Sequence, residues 1–230
     1  MKKSKLGMMV SRESCPLCQI PLSRLVYETK SLRVIVPLGP IARGHILVCS
    51  RHHFPNFCAV SASIRKELAS LCILCERIIK QVYGGQVLSF EHGVLQARPE
   101  HGIHCQHAHR NLVPINDSNL ALDQVLERIR SHNIIINRAE GLPVTPKKFG
   151  DGIGDYYYIS SSRKMQFLGV VPSGRRIPHR ILREALSSFL RRRMKSTMEW
   201  EKHQRWHIIR SSGLQLKSAF QETKSNLFRS

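Results

Sequence analysis

The sequence predicts an α+β fold, a helix-flanked sheet followed by a C-terminal α/β extension. Three observations predict it. Hydrophobic residues make up 42% of 230 residues, enough to bury an ordinary core. Short β-rich runs alternate with Pro and Gly punctuation, and at least one long stretch carries apolar residues at helical spacing.

In chain order, RVIV and HILVC, within Arg33 to Ser50, read as two strands separated by a Pro- and Gly-rich connection. From caps at Ser61 or Ser63 to about Tyr83, Ile64, Leu68, Leu71, Cys72, Cys75, Ile78, Ile79 and Val82 recur with helical period, and Gly84-Gly85 ends the helix. QVLSFEHG reads as a strand, and after a His-rich loop AHRNLVPI reads as another beside it. Leu120 to Ser131 reads as a helix, DYYYISS and MQFLGVV as a pair of strands, and Pro178 to Arg193 and Thr197 to Phe220 as helices, with Trp200 and Trp206 as helix-packing residues.

The formal charge is +20, and from residue 161 onward there are about 16 Lys/Arg against about 4 Asp/Glu. An excess of that size suits phosphate-bearing partners, nucleic acid among them, although Arg191, Arg192 and Arg193 read equally well as a solvated helix end. No run approaches the about 18 apolar residues of a membrane span, and the start, MKKSKLGMMVSRESC, has no long apolar region. The expectation is a cytoplasmic protein that does not associate with membrane. Seven cysteines, with two C-x-x-C pairs, suit metal binding or a helix face better than a disulfide framework.

The chemistry concentrates in HGIHCQHAHRNLVP, where strand alternation points His107 and His109 to one face. A neutral imidazole attacks phosphorus well, and the adduct is readily displaced by a second acceptor. The loop Cys15-Pro-Leu-Cys18 presents two thiols of the kind that hold Zn²⁺, and His53 and His107 are the candidates to complete a tetrahedral structural site, with His52 the substitute for His53. Cys72 and Cys75 share that spacing but sit on the apolar face of the long helix, so they read as small buried hydrophobes. Gly44 reads as a turn glycine and His45 as structural.

CPLC, PLGPIARGHILVCSRHHFPNF, FEHG and QHAHRNLVP, in that order, resemble the signatures of the histidine-triad (HIT) superfamily. More narrowly, together with YYYISSSRKMQFLGVVPSG, HRILREAL and MEWEKHQRW in the C-terminal region, they resemble a longer HIT-like group related to the zinc-containing galactose-1-phosphate uridylyltransferase and diadenosine tetraphosphate phosphorylase branch. The resemblance implies an antiparallel sheet of about five strands flanked by helices. It divides the chain into a tail (1–14), a HIT-like catalytic domain (15–140) and a basic extension packed on or beside it (141–230).

It implies that His109 attacks an α-phosphate to form a nucleotidyl-histidine, and that Cys15, Cys18, His53 and His107 bind zinc. The third triad histidine is replaced by Asn111, which can donate a hydrogen bond to a phosphate oxygen but cannot shuttle a proton. That favours a transferase or phosphorylase acting on a nucleotide or nucleotide sugar over a hydrolase. Arg110 stands where an apolar residue is usual and, by alternation, points away from His109. Glu91 and His92, on the FEHG strand beside the HAH strand, read as groups that orient a catalytic imidazole or contact substrate, and equally as a hydrogen-bonded supporting pair. The rival readings are a nucleotide- or nucleic-acid-binding protein without turnover, and a metallohydrolase with an open coordination position. Pairing into a homodimer is a further expectation of the resemblance.

Overall fold

The structure, a computed structural model, describes residues 15–95, 106–139, 152–162, 165–175, 177–178, 180–190 and 205–227. Eight strands form one antiparallel sheet: β1 (Leu25–Glu28), β2 (Leu32–Ile35), β3 (Ile46–Ser50), β4 (Gln86–Val94), β5 (His109–Ile115), β6 (Ile135–Arg138), β7 (Ile153–Ser160) and β8 (Gln166–Pro172), in the order β1-β2-β3-β5-β4-β7-β8-β6. The expectation of about five strands is therefore too small. β7 bonds directly to β4 along six register pairs, so strands of the C-terminal region extend the same sheet. β1 and β6 give no sequence signal because each has four residues and little or no alternation, and β6 is largely exposed.

Helices cover both faces. α1 (Ala62–Tyr83) is capped by Ser61, whose hydroxyl accepts from the Ile64 N–H, and turns Leu68, Leu71, Cys72, Cys75, Ile78 and Ile79 inward at helical spacing. It packs with α4 (Trp206–Leu227) over Val34, Val48, Val87 and Leu112. α2 (Ser118–Arg130), capped by Asp117, and α3 (Ile181–Phe189) cover the other face over Leu88, Phe90, Val113 and Ile159. α3 ends earlier than the sequence predicts. Trp206 is 44% exposed rather than packed, because it opens the first turn of α4; Trp200 and Arg191 to Arg193 lie outside the described residues.

Burial holds the Cys72 thiol at a pKa of about 12, in keeping with a packing role. Gly44 has φ +82°, and a Cβ there would lie 2.5 Å from the Tyr83 ring, so the turn before β3 requires glycine on both counts. That turn delivers His45 to the central part of the sheet. No described helix is long and apolar enough to cross a membrane.

Candidate functional site

β5 lies between β3 and β4, and its pairing sets Leu47 and Phe90 on either side of Asn111 and Cys49 beside His109. Residues of even and odd number on β5 therefore face opposite helix layers. His109 and Asn111 share their side with Val113, in the α2/α3 layer, whereas Arg110 shares its side with Leu112, beneath α1. A cleft of about 230 Å³ opens over His109 and Asn111.

The His109 ring has a defined tautomer when neutral. Its Nδ1 lies 2.7 Å from the His107 backbone carbonyl, which can only accept, so Nδ1 carries the proton and Nε2 keeps a lone pair. Nε2 has no partner among the described residues. Burial holds the imidazole below its ordinary pKa, against the opposing pull of the bond to the His107 carbonyl, and so favours this neutral ring.

Asn111 is oriented by a second histidine. The Ile41 N–H donates to His45 Nδ1 at 3.0 Å, so the proton of the neutral His45 ring is on Nε2, which donates to Asn111 Oδ1 at 3.1 Å. His45 is fully buried, and that burial pushes its pKa down to about 3. It stays neutral and fixes the carboxamide with Nδ2 as its free donor beside His109. His45, read from the sequence as structural, therefore also acts on the site.

Cys15, Cys18, His53 and His107 offer ligand atoms that all lie within 4.8 Å of one another, a cluster that could hold a metal ion. The contacts Cys15 Sγ to His107 Nδ1 (3.4 Å), Cys18 Sγ to His53 Nδ1 (3.3 Å) and Cys18 Sγ to His107 Nδ1 (3.5 Å) match the roughly 3.5 Å sulfur-to-nitrogen edge of a tetrahedron with zinc bond lengths. His107 Nε2 lies 2.7 Å from the Ser50 carbonyl, which fixes its proton there and turns the Nδ1 lone pair toward the thiols. His53 joins the cluster, and His52 does not.

Glu91 lies on β4 beside β5, as the sequence reading has it, but its side chain is on the face away from His109. The register sets Phe90 opposite Asn111, so Phe90 and His92 share the His109 face and Glu91 points beneath α1. There its Oε2 accepts from Arg110 Nη2 at 2.8 Å and Nε at 3.2 Å, and its Oε1 accepts from Tyr156 and from the Phe57 N–H. The Arg110 guanidinium stacks over the Tyr158 ring, 4.3 Å from its centroid. Both charged side chains are almost fully buried, 3% exposed for Arg110 and 1% for Glu91, so each is the other's counter-ion.

His92 does line the cleft, stacked on Tyr157 with ring centroids 4.5 Å apart and its Nε2 3.5 Å from Asp155 Oδ2. Asp155 and Tyr157 escaped the sequence reading, though DYYYISS was legible as a strand; only its register with β4 brings them to His92. Arg24, Arg180 and Arg183 also line the cleft and carried no motif. Arg183 comes from α3 and Arg180 from the residue before it, a region the sequence marked as a basic helix without a site role.

A sequence model of the HIT domain family matches residues 20–141, just over half of the chain. The chain belongs to the HIT family. No curated protein matches this HIT protein. Among solved structures, a hypothetical histidine triad nucleotide-binding protein from Sulfolobus tokodaii is similar over 84% of this chain and 85% of its own, at 18% identity and a TM-score of 0.35. A HIT family member from Bacillus subtilis is similar over 44% and 73%, at 20% identity and 0.38. A HIT family hydrolase from Clostridium thermocellum is similar over 46% and 93%, at 19% identity and 0.34.

The buried pair beneath α1 has a measurable signature. Glu91→Gln keeps acceptors for Tyr156 and Phe57 but strips Arg110 of its counter-ion, and should destabilise the protein by about 3 to 5 kcal/mol in urea denaturation. Adding Arg110→Met should recover most of that loss. A Glu91→Gln protein as stable as the parent would contradict the pairing.

Proposed function

We propose that this HIT protein transfers a nucleotidyl group through an intermediate on His109. The observation that carries the reading is the hydrogen bond from His109 Nδ1–H to the His107 carbonyl, which leaves Nε2 unprotonated and facing the cleft. Nε2 attacks the α-phosphorus of a nucleotide, a P–N bond forms, and the P–O bond to the leaving group breaks, with the electron pair departing on that oxygen.

Asn111 Nδ2, aimed by His45, donates to a non-bridging oxygen whose charge grows in the transition state. Arg180 and Arg183 add positive charge to the same cleft. Because Asn111 has no proton to exchange, the second step suits an acceptor that arrives already ionised, such as a phosphate. Its oxygen attacks phosphorus, the P–N bond breaks, and the electron pair returns to Nε2. This favours a transferase or phosphorylase over a hydrolase, in line with the resemblance to the uridylyltransferase and phosphorylase branch. His92, stacked on Tyr157 and paired with Asp155, is assigned to substrate contact at the cleft wall.

The metal in this reading is a structural Zn²⁺ held by Cys15, Cys18, His53 and His107. When bound, it cross-links the N-terminal loop to the residues that lead into β5. Four protein ligands close a tetrahedron, which speaks against a water-activating metal centre.

Two outcomes test the reading. Brief incubation with nucleoside polyphosphates and nucleotide sugars, quenched at high pH, should add one nucleotidyl mass to the intact protein, and His109→Ala should abolish it; a folded parent protein with no adduct from any donor would overturn the mechanism. Elemental analysis should find about one zinc per chain, and chelation should lower the melting temperature of the parent protein but not of Cys15→Ser/Cys18→Ser. Metal-free parent protein of unchanged stability would overturn the zinc assignment.

A further inference from the structure

The cleft over Asn111 extends along the sheet. Leu47, paired with Asn111 across β3 and β5, lines it, while Ile35 and Leu25, which continue that register row, are packed with Leu17 in the core beside it. The cleft lining includes the apolar Pro16, Leu17, Pro37, Leu38 and Leu47.

Arg24, the residue before β1, lines the same cleft. It is 4% exposed. Its Nε donates to the Val36 carbonyl at 2.9 Å, which fixes the plane of the guanidinium, and its terminal nitrogens have no partner among the described residues. Among the described residues no Asp or Glu lines the cleft. A guanidinium that is 4% exposed, held by the Val36 carbonyl and lining the cleft beside apolar residues is placed to donate to the acceptors of a ligand. Arg180 and Arg183 already stand with Asn111 and His109, and Arg183 is anchored on the Gly39 carbonyl, so positive charge for phosphate is available without Arg24.

We propose that Arg24 reads the nucleobase: the apolar slot takes a purine ring, and the guanidinium donates to two acceptors on one ring edge. Guanine offers such a pair in O6 and N7, whereas adenine sets the N6 donor beside N7, so the site selects guanine nucleotides over adenine nucleotides. This rests on the nucleotide reading above and names its base.

Calorimetric titration of the full-length, zinc-loaded protein with nucleoside 5′-monophosphates tests base choice without turnover, since these carry no leaving group beyond the α-phosphate. GMP and IMP, which share O6 and N7, should bind about 10- to 100-fold more tightly than AMP and 7-deaza-GMP. Arg24→Met should bring the four ligands to similar affinity. Because Arg24→Met also loses the bond to Val36 and can unfold, the comparison of GMP with 7-deaza-GMP on the parent protein decides independently. Equal binding of GMP and AMP would overturn the base assignment and leave the nucleotide reading intact. A preference for adenosine 3′,5′-bisphosphate over both would also overturn it, making Arg24 an anion subsite. Failure of every nucleotide to bind would overturn the nucleotide reading itself.

Discussion

The hydrogen bond between His109 Nδ1 and the His107 carbonyl couples two parts of the molecule that have different jobs. His107 belongs, through its ring, to the cysteine-histidine cluster and, through its backbone, to the surroundings of His109. Its ring is pinned by the Ser50 carbonyl on one nitrogen and faces the two thiols with the other. Whatever fixes that ring also restrains the carbonyl of the same residue, and the carbonyl sets which nitrogen of His109 carries a proton. The Ile41 N–H repeats the device at His45, and the ring it fixes then donates to Asn111 Oδ1. In both cases a group that can only accept, or only donate, removes a tautomeric choice from the ring beside it.

Strand β5 serves two layers by simple alternation. Its odd residues His109 and Asn111 face the cleft, and Arg110 between them enters the layer beneath α1. A guanidinium in that position would be ruinous alone, yet Glu91 from the neighbouring strand meets it, and Tyr156 and the Phe57 N–H occupy the second carboxylate oxygen. Gly93 allows this, since a Cβ there would overlap the Tyr156 ring that reaches Glu91.

Much of this was legible in the chain. α1 and β5 were readable because their periods are long and clean, and alternation alone separates His109 and Asn111 from Arg110. The C-x-x-C loop and the histidines at 53 and 107 could be grouped by chemistry, although choosing between His52 and His53 needs the backbone. Glu91 shows the limit: its nearness to the HAH segment was readable, but its face depends on one step of register between β4 and β5. Asp155 and Arg24 meet the site only through pairings between segments far apart in sequence, and no local pattern carries that information. β1 and β6 are too short to announce themselves.

The pairing of β7 along β4 also bears on how copies of this chain can associate. A strand has two rows of backbone donors and acceptors, and those of β4 are shared out between β5 and β7. A second molecule therefore finds no unsatisfied row at β4 on which to continue the sheet, whose outermost strands among the described residues are β1 and β6. The C-terminal strands thus use up the hydrogen-bonding row of β4 that faces away from β5.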